Sequence, residues 1–210
     1  RPKMAYVSPL PPARSGISDY SAELLPELSR HYDIDVIVAQ DSVSTPWITA
    51  NCPMRSPAWL KSHADHYDRV LYHFGNSNFH QHMFSLLEDV PGVVVLHDFF
   101  LSGISAHMDV TGYKPDFWAK ALYQGHGYAA IQQRFHALDT TKVIWHYPCN
   151  LAVLQNALGV LVHSENSRRL ASQWVGKNAA DDWTVVPLLR ISALDIDRAE
   201  ARRLLKLGKD

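Results

Sequence analysis

The sequence predicts an α/β domain: a parallel sheet of short strands with helices on both faces. Three observations carry this. Continuous apolar runs recur at residues 4–8, 69–74, 93–97 and 159–163. Each run stops at a turn signal or polar residue, and helix-forming sequence follows. Such runs, without polar alternation, mark strands buried on both faces. The composition is 47% hydrophobic and 20% charged, as in an ordinary globular domain.

The elements follow in order. Residues 4–8 form a strand that must end at Pro9-Leu10-Pro11-Pro12, because proline cannot donate to a ladder. Ser18 or Asp19 is suited to cap a helix running to residue 30, with Glu23 in its first turn and Leu24, Leu25 and Leu28 on one face. Pro26 predicts that this helix kinks or begins near it. Residues 35–39 read as a strand, and residues 42–57, rich in proline, as a loop with at most one short strand. A strand at 69–74 ends at Gly75-Asn76, and a helix over 80–88 leads to the turn at Pro91-Gly92. Residues 93–97 (Val-Val-Val-Leu-His) are the clearest buried strand. Two or three helices fill 99–156. A strand at 159–163 precedes a helix to residue 175, capped by Ser164 with Glu165 in the first turn. A last strand covers 183–187, and a polar, basic helix covers 195–207. The whole reads as an open, doubly wound, Rossmann-like domain.

Charge and motifs exclude several functions. Lys and Arg number 20 against 21 Asp and Glu, so the net charge of −1 is not that of a dedicated nucleic-acid binder. The two cysteines, Cys52 and Cys149, form no CxxC pattern and suit a reducing compartment. No apolar run approaches the roughly 18 residues of a membrane span. There is no GxSxG elbow, no HExxH and no GxGxxG. The 12 histidines invite a metal, with His63/His66 and His80/His82 as pairs, but no carboxylate set accompanies them, so neither metal nor cofactor is expected.

In doubly wound sheets, ligands bind beyond the carboxyl ends of the strands. The first such loop carries Arg14, Ser15 and Gly16: a bare backbone before a helix start, with a cation for a phosphate. Asn76 and His80 follow the strand at 69–74, where uncharged donors and acceptors suit hydroxyl-rich ligands. His97 and Asp98 form a polar pair at the end of the purest apolar run. Ser164 and Glu165 follow His163 at the strand end near 163, where helix capping also accounts for them.

Taken in order, these segments resemble the N-terminal half of a retaining, family 4 glycosyltransferase of the two-Rossmann GT-B class. The matching pieces are Ala5-Tyr6-Val7-Ser8-Pro9-Leu10-Pro11-Pro12 with Ser15-Gly16-Ile17-Ser18-Asp19-Tyr20, then Tyr72-His73-Phe74-Gly75-Asn76 with Phe79-His80. Pro91-Gly92-Val93-Val94-Val95-Leu96-His97-Asp98 and Leu161-Val162-His163-Ser164 complete the set.

The resemblance implies an N-terminal, acceptor-side domain over residues 1–190 and a linker helix over 191–210 toward an absent C-terminal domain. It implies a nucleotide-diphospho-sugar donor, held between the two domains with its diphosphate and sugar near Gly16, and a glycan or lipid-linked acceptor. His97 would lie by the transferred sugar, and catalysis would be electrostatic, without a metal. It also implies a cytoplasmic enzyme of polysaccharide biosynthesis, with peripheral contact at the inner membrane face as one option. Two departures stand beside it: the family's spaced glutamate pair is absent, so this domain alone should be inactive, and Arg14 occupies a place where small residues are common. A stand-alone flavodoxin-like binding module and half of a nucleotide-sugar epimerase are the alternatives.

Overall fold

The computed structural model describes residues 1–190 and 197–208. Its strands are β1 (Lys3–Val7), β2 (Asp33–Ile37), β3 (Met54–Arg55), β4 (Arg69–Phe74), β5 (Val93–Leu96), β6 (Gly159–Val162) and β7 (Thr184–Val185). All seven are parallel, in one sheet ordered β3-β2-β1-β4-β5-β6-β7. The expected Rossmann-like α/β architecture is therefore present. The chain leaves β1 toward β2 and β3, then returns to β4 on the other side of β1. The order reverses between β1 and β4, which makes that junction the switch point where a crevice must open.

Right-handed crossovers in opposite directions send the helices to opposite faces. On one face α1 (Gly16–Leu28) and α2 (Pro46–Asn51) bury Leu25 and Ile48 against Met4 and Tyr6 of β1. On the other face α3 (Pro57–Ser62), α4 (Met83–Asp89), α5 (Ser102–Val110), α9 (Leu151–Asn156) and α10 (Glu165–Trp174) pack over Ala5, Val7, Tyr72 and Phe74. Alternation along β1 thus feeds both cores. A satellite cluster joins α5 to α6 (Phe117–His126), α7 (Tyr128–His136) and α8 (Thr141–His146) around Trp118, Leu122 and Val143. The indole of Trp118 donates to Ser102 Oγ at 2.9 Å, so its polar edge is satisfied inside that cluster. No helix among the described residues is long and apolar enough to cross a membrane.

Several local expectations need correction. Helix α1 is capped by Ser15, whose Oγ accepts the Ile17 amide at 3.2 Å, not by Ser18 or Asp19. It then continues through Pro26, two residues before its last residue Leu28, so Glu23 sits mid-helix. Residues 42–57 hold a helix as well as the short strand: Pro46 opens α2 at a position that needs no amide donor, and Ile48 is buried beneath it. The helix α3 was not anticipated. The stretch 99–156 holds five helices, α5 to α9, because Gly112, Gly127 and Pro148 break what composition alone presents as longer segments. The helix expected from residue 80 begins at Met83, preceded by a 3-10 turn at Asn78–His80. A final helix α11 (Arg198–Leu204) falls within the expected 195–207, of which residues 195 and 196 lie outside the described residues.

Candidate functional site

A cleft of about 360 Å³ opens at the switch point. Four strand ends contribute. From the β1 side come Ser15, Gly16, Ile17 and Tyr20; from the end of β4, Asn76 and Ser77; from the end of β5, His97 and Asp98; and from the segment after β7, Leu188 and Arg190. Five of the nine residues singled out in the sequence, Ser15, Gly16, Asn76, His97 and Asp98, thus meet in one crevice.

The walls are built by close approach. Gly75 ends β4 where a Cβ would meet the Ile17 side chain, and would lie 3.0 Å from His80 Cε1 and 3.3 Å from Asp98 Oδ2. Any larger residue would have to displace the Ile17 side-chain tip and press on the His80 ring. Asp98 Oδ2 accepts the Asn76 amide at 2.8 Å, and Asn76 Oδ1 accepts the Ile104 amide at 2.8 Å. Gly103 leaves room for that side chain, since its Cβ would come 2.8 Å from Asn76 Nδ2. Asn76 therefore ties the loop after β4 to the start of α5, and its Nδ2 has no hydrogen-bond partner among the described residues. Gly16 is exposed at the first turn of α1, with nothing within 4 Å of where a Cβ would stand. Its amide has no acceptor among the described residues, as the geometry of a helix start requires.

Beneath the cleft runs a chain of three histidines. His73 Nδ1 lies 3.0 Å from His97 Nε2, His97 Nδ1 lies 3.2 Å from His163 Nε2, and His163 Nδ1 lies 2.8 Å from the Val186 carbonyl. Sheet register explains the row: His73 pairs with Val95, two residues before His97, and Leu96 pairs with Val162, one before His163. All three side chains fall on the α1 face, where the Tyr20 ring meets them at centroid distances of 5.9, 5.2 and 5.5 Å.

The Val186 carbonyl fixes every proton in the row. A carbonyl only accepts, so His163 carries its proton on Nδ1 and offers Nε2 as acceptor. His97 then donates from Nδ1 and accepts at Nε2, and His73 donates from Nδ1. The chain ends at His73 Nε2, a buried lone pair with no partner. A further proton could only come to rest at that buried atom. Burial pushes His73 well below the usual imidazole range and His97 down to about 3, and the neighbouring imidazoles of His163 and His80 add to both. His97 is thus a neutral, doubly engaged ring in the cleft wall, and Arg190 is the cation there. Arg190 is about half exposed and pairs with Glu23 of α1 at 3.1 Å. That pair and the His163–Val186 bond lay the 186–190 segment along the cleft.

The remaining predicted residues lie elsewhere. Arg14 is exposed in the loop before α1, outside the cleft lining. His80 is fully buried, with Nδ1 3.2 Å from the Ser77 carbonyl and Nε2 unpartnered, and burial lowers it to about 4. Ser164 and Glu165 are exposed at the start of α10, and Glu165 pairs with Arg168 at 3.3 Å. Ser164 occupies the cap position without making a side-chain cap bond. Both thiols are buried and pushed up to about 11, which leaves no thiolate nucleophile. Among the described residues, no group of three or more His, Cys, Asp or Glu is disposed to hold a metal ion.

Sequence reasoning missed His73, His163, Tyr20 and Arg190 as site residues. The signal for the first two was present: each, like His97, interrupts an apolar run at or near its carboxyl end. Tyr20 lies one turn after Gly16 on α1. Arg190 carries no local signal, since its position depends on how the chain crosses the sheet after β7. In comparisons with known proteins, neither a family model nor a curated protein sequence matches this chain.

Proposed function

We propose that this chain is the acceptor-side Rossmann-like domain of a glycosyltransferase that moves a sugar from a nucleotide-diphospho-sugar to a glycan or lipid-linked acceptor. The observation that carries this reading is the composition of the switch-point cleft. It joins an open helix start and one arginine, which suit a diphosphate, to polar side chains and a neutral histidine, which suit a sugar, while its carboxylate, Asp98, is engaged by the Asn76 amide. The ordered resemblance of the strand-end segments points the same way.

On this reading the Gly16 amide and Arg190 face the diphosphate, and Asn76 Nδ2 and the Tyr20 hydroxyl face the sugar. His97 forms the wall beside the transferred sugar. Held neutral, it adds no charge of its own beside Arg190. Donor base and catalytic glutamates would come from a second domain. The reading makes the protein cytoplasmic. For a lipid-linked acceptor it would touch the membrane peripherally, and the exposed Tyr128, Phe135 and Trp145 of α7 and α8 offer apolar surface for that contact.

The test is transfer by the natural gene product from a panel of labelled nucleotide-diphospho-sugars. Arg190→Ala, at an exposed position, should lower turnover on the preferred donor without altering the melting curve. His97→Ala should lower it further, at a stability cost of about 1–3 kcal/mol from the hydrogen bonds left open on His73 and His163. No transfer from any donor, or unchanged turnover in both variants, would overturn the proposal.

A further inference from the structure

A second hollow, of about 340 Å³, lies beside the cleft and shares a wall with it. The wall is the loop after β4. Asn76 and Ser77 line the cleft, while Asn78, Phe79, Gln81 and His82 line the hollow. Tyr113, just after α5, lines it as well. The volume lies in the range of small-ligand sites, about 300–1,000 Å³.

Its chemistry is specific. No Asp, Glu, Lys or Arg is among its lining residues. The polar ends of Asn78, Gln81 and Tyr113 have no hydrogen-bond partner among the described residues. His82 Nε2 is buried without a partner, and burial lowers that imidazole to about 4, so the hollow stays uncharged near neutral pH. By contrast, the Gln40 amide that also borders it is fully used. Its Oε1 accepts the Leu10 amide at 3.0 Å, and its Nε2 donates to the Leu10 and Ser42 carbonyls at 2.8 and 2.7 Å. One side is thus a rigid wall, and the other offers free amides and the rings of Phe79 and Tyr113.

A charged ligand would find no counter-charge here, and an apolar one would leave two amides and a phenol unpaired. A neutral ring bearing hydroxyls on its edge and C–H groups on its faces meets both demands. We propose that this hollow is a second binding site, for one uncharged sugar ring. In the transferase reading, on which this last step rests, the ring belongs to the acceptor, presented across the β4 loop to the donor in the cleft.

The test uses the 210-residue chain. Methyl glucoside, galactoside and mannoside are titrated in turn while the side-chain amide resonances of Asn78 and Gln81 are followed. At least one glycoside should shift both in a saturable way. Gln81→Leu and Tyr113→Ala, both at a solvent-facing wall, should each weaken that glycoside by about tenfold while the backbone spectrum stays native. No saturable shift with any glycoside, shifts confined to Gly16 and His97, or unchanged affinity in both variants would overturn the site. A parallel titration of the natural gene product with UDP-glucose, ADP-glucose and GDP-mannose reads Gly16 and Ile17. If those amides stay silent while the glycosides still shift Gln81, the hollow stands and the reading of the cleft falls.

Discussion

Acid should unfold this protein well before its carboxylates titrate. An imidazole in an unfolded chain takes its proton near pH 6.5. Burial lowers His80 and His82 to about 4 and His97 to about 3 in the folded state. Between pH 6.5 and 4 the unfolded chain therefore binds more protons, and acid favours it. The stability contributed by keeping these rings neutral is complete above pH 6.5 and is lost as pH falls toward the folded values. From pH 7 to pH 5 the loss is about 2 kcal/mol for each ring. Three rings together lose about 6 kcal/mol, against a total of about 5–15 kcal/mol for a typical domain. His73 shares its hydrogen bond with His97 and is not counted separately. The assay is urea unfolding followed by tryptophan fluorescence at pH 7, 6 and 5. The midpoint should fall steeply, and His82→Leu should remove about one ring's share, about 2 kcal/mol, of the difference. A midpoint that is flat from pH 7 to 5 would refute the buried, neutral state of these rings.

Two further outcomes follow from packing. Gly75→Ala should cost about 1–3 kcal/mol, because its Cβ would press on Ile17 and His80 between α1 and the β4 loop; an unchanged urea midpoint would contradict that close approach. Arg134 and Asp109 form an ion pair at 2.7 Å with side chains only 17% and 11% exposed, so Arg134→Ala should cost about 2–3 kcal/mol by leaving Asp109 with only the Asp116 amide at 2.8 Å. The double variant with Asp109→Ala should cost less than the sum of the two single changes, and strict additivity would show that the pair is not coupled.

Much of the fold was legible because strand burial is a local property of sequence. The run Val93-Val94-Val95-Leu96 has no amphipathic alternative, and the strand at 69–74 matches β4 residue for residue. The helices between residues 99 and 156 were less legible, since their breaks depend on single residues such as Gly127, which takes a positive φ of 75° between α6 and α7. The site was half legible. Residues at strand ends, such as Gly16 and His97, follow from topology alone. The row of histidines needs the register of three strands, and Arg190 needs the path of the chain after β7. Ser164 and Glu165 follow a strand end too, but they face solvent at the start of α10, outside the cleft lining.

The central claim is that the switch-point cleft receives a nucleotide-diphospho-sugar. The most direct measurement is titration of UDP-, ADP- and GDP-sugars into the natural gene product with backbone amide shifts mapped residue by residue. Saturable shifts at Gly16, Ile17, Asn76 and His97, lost in Arg190→Ala, are the predicted result. Shifts that cluster away from these residues, or none with any of the three nucleotides, would contradict it.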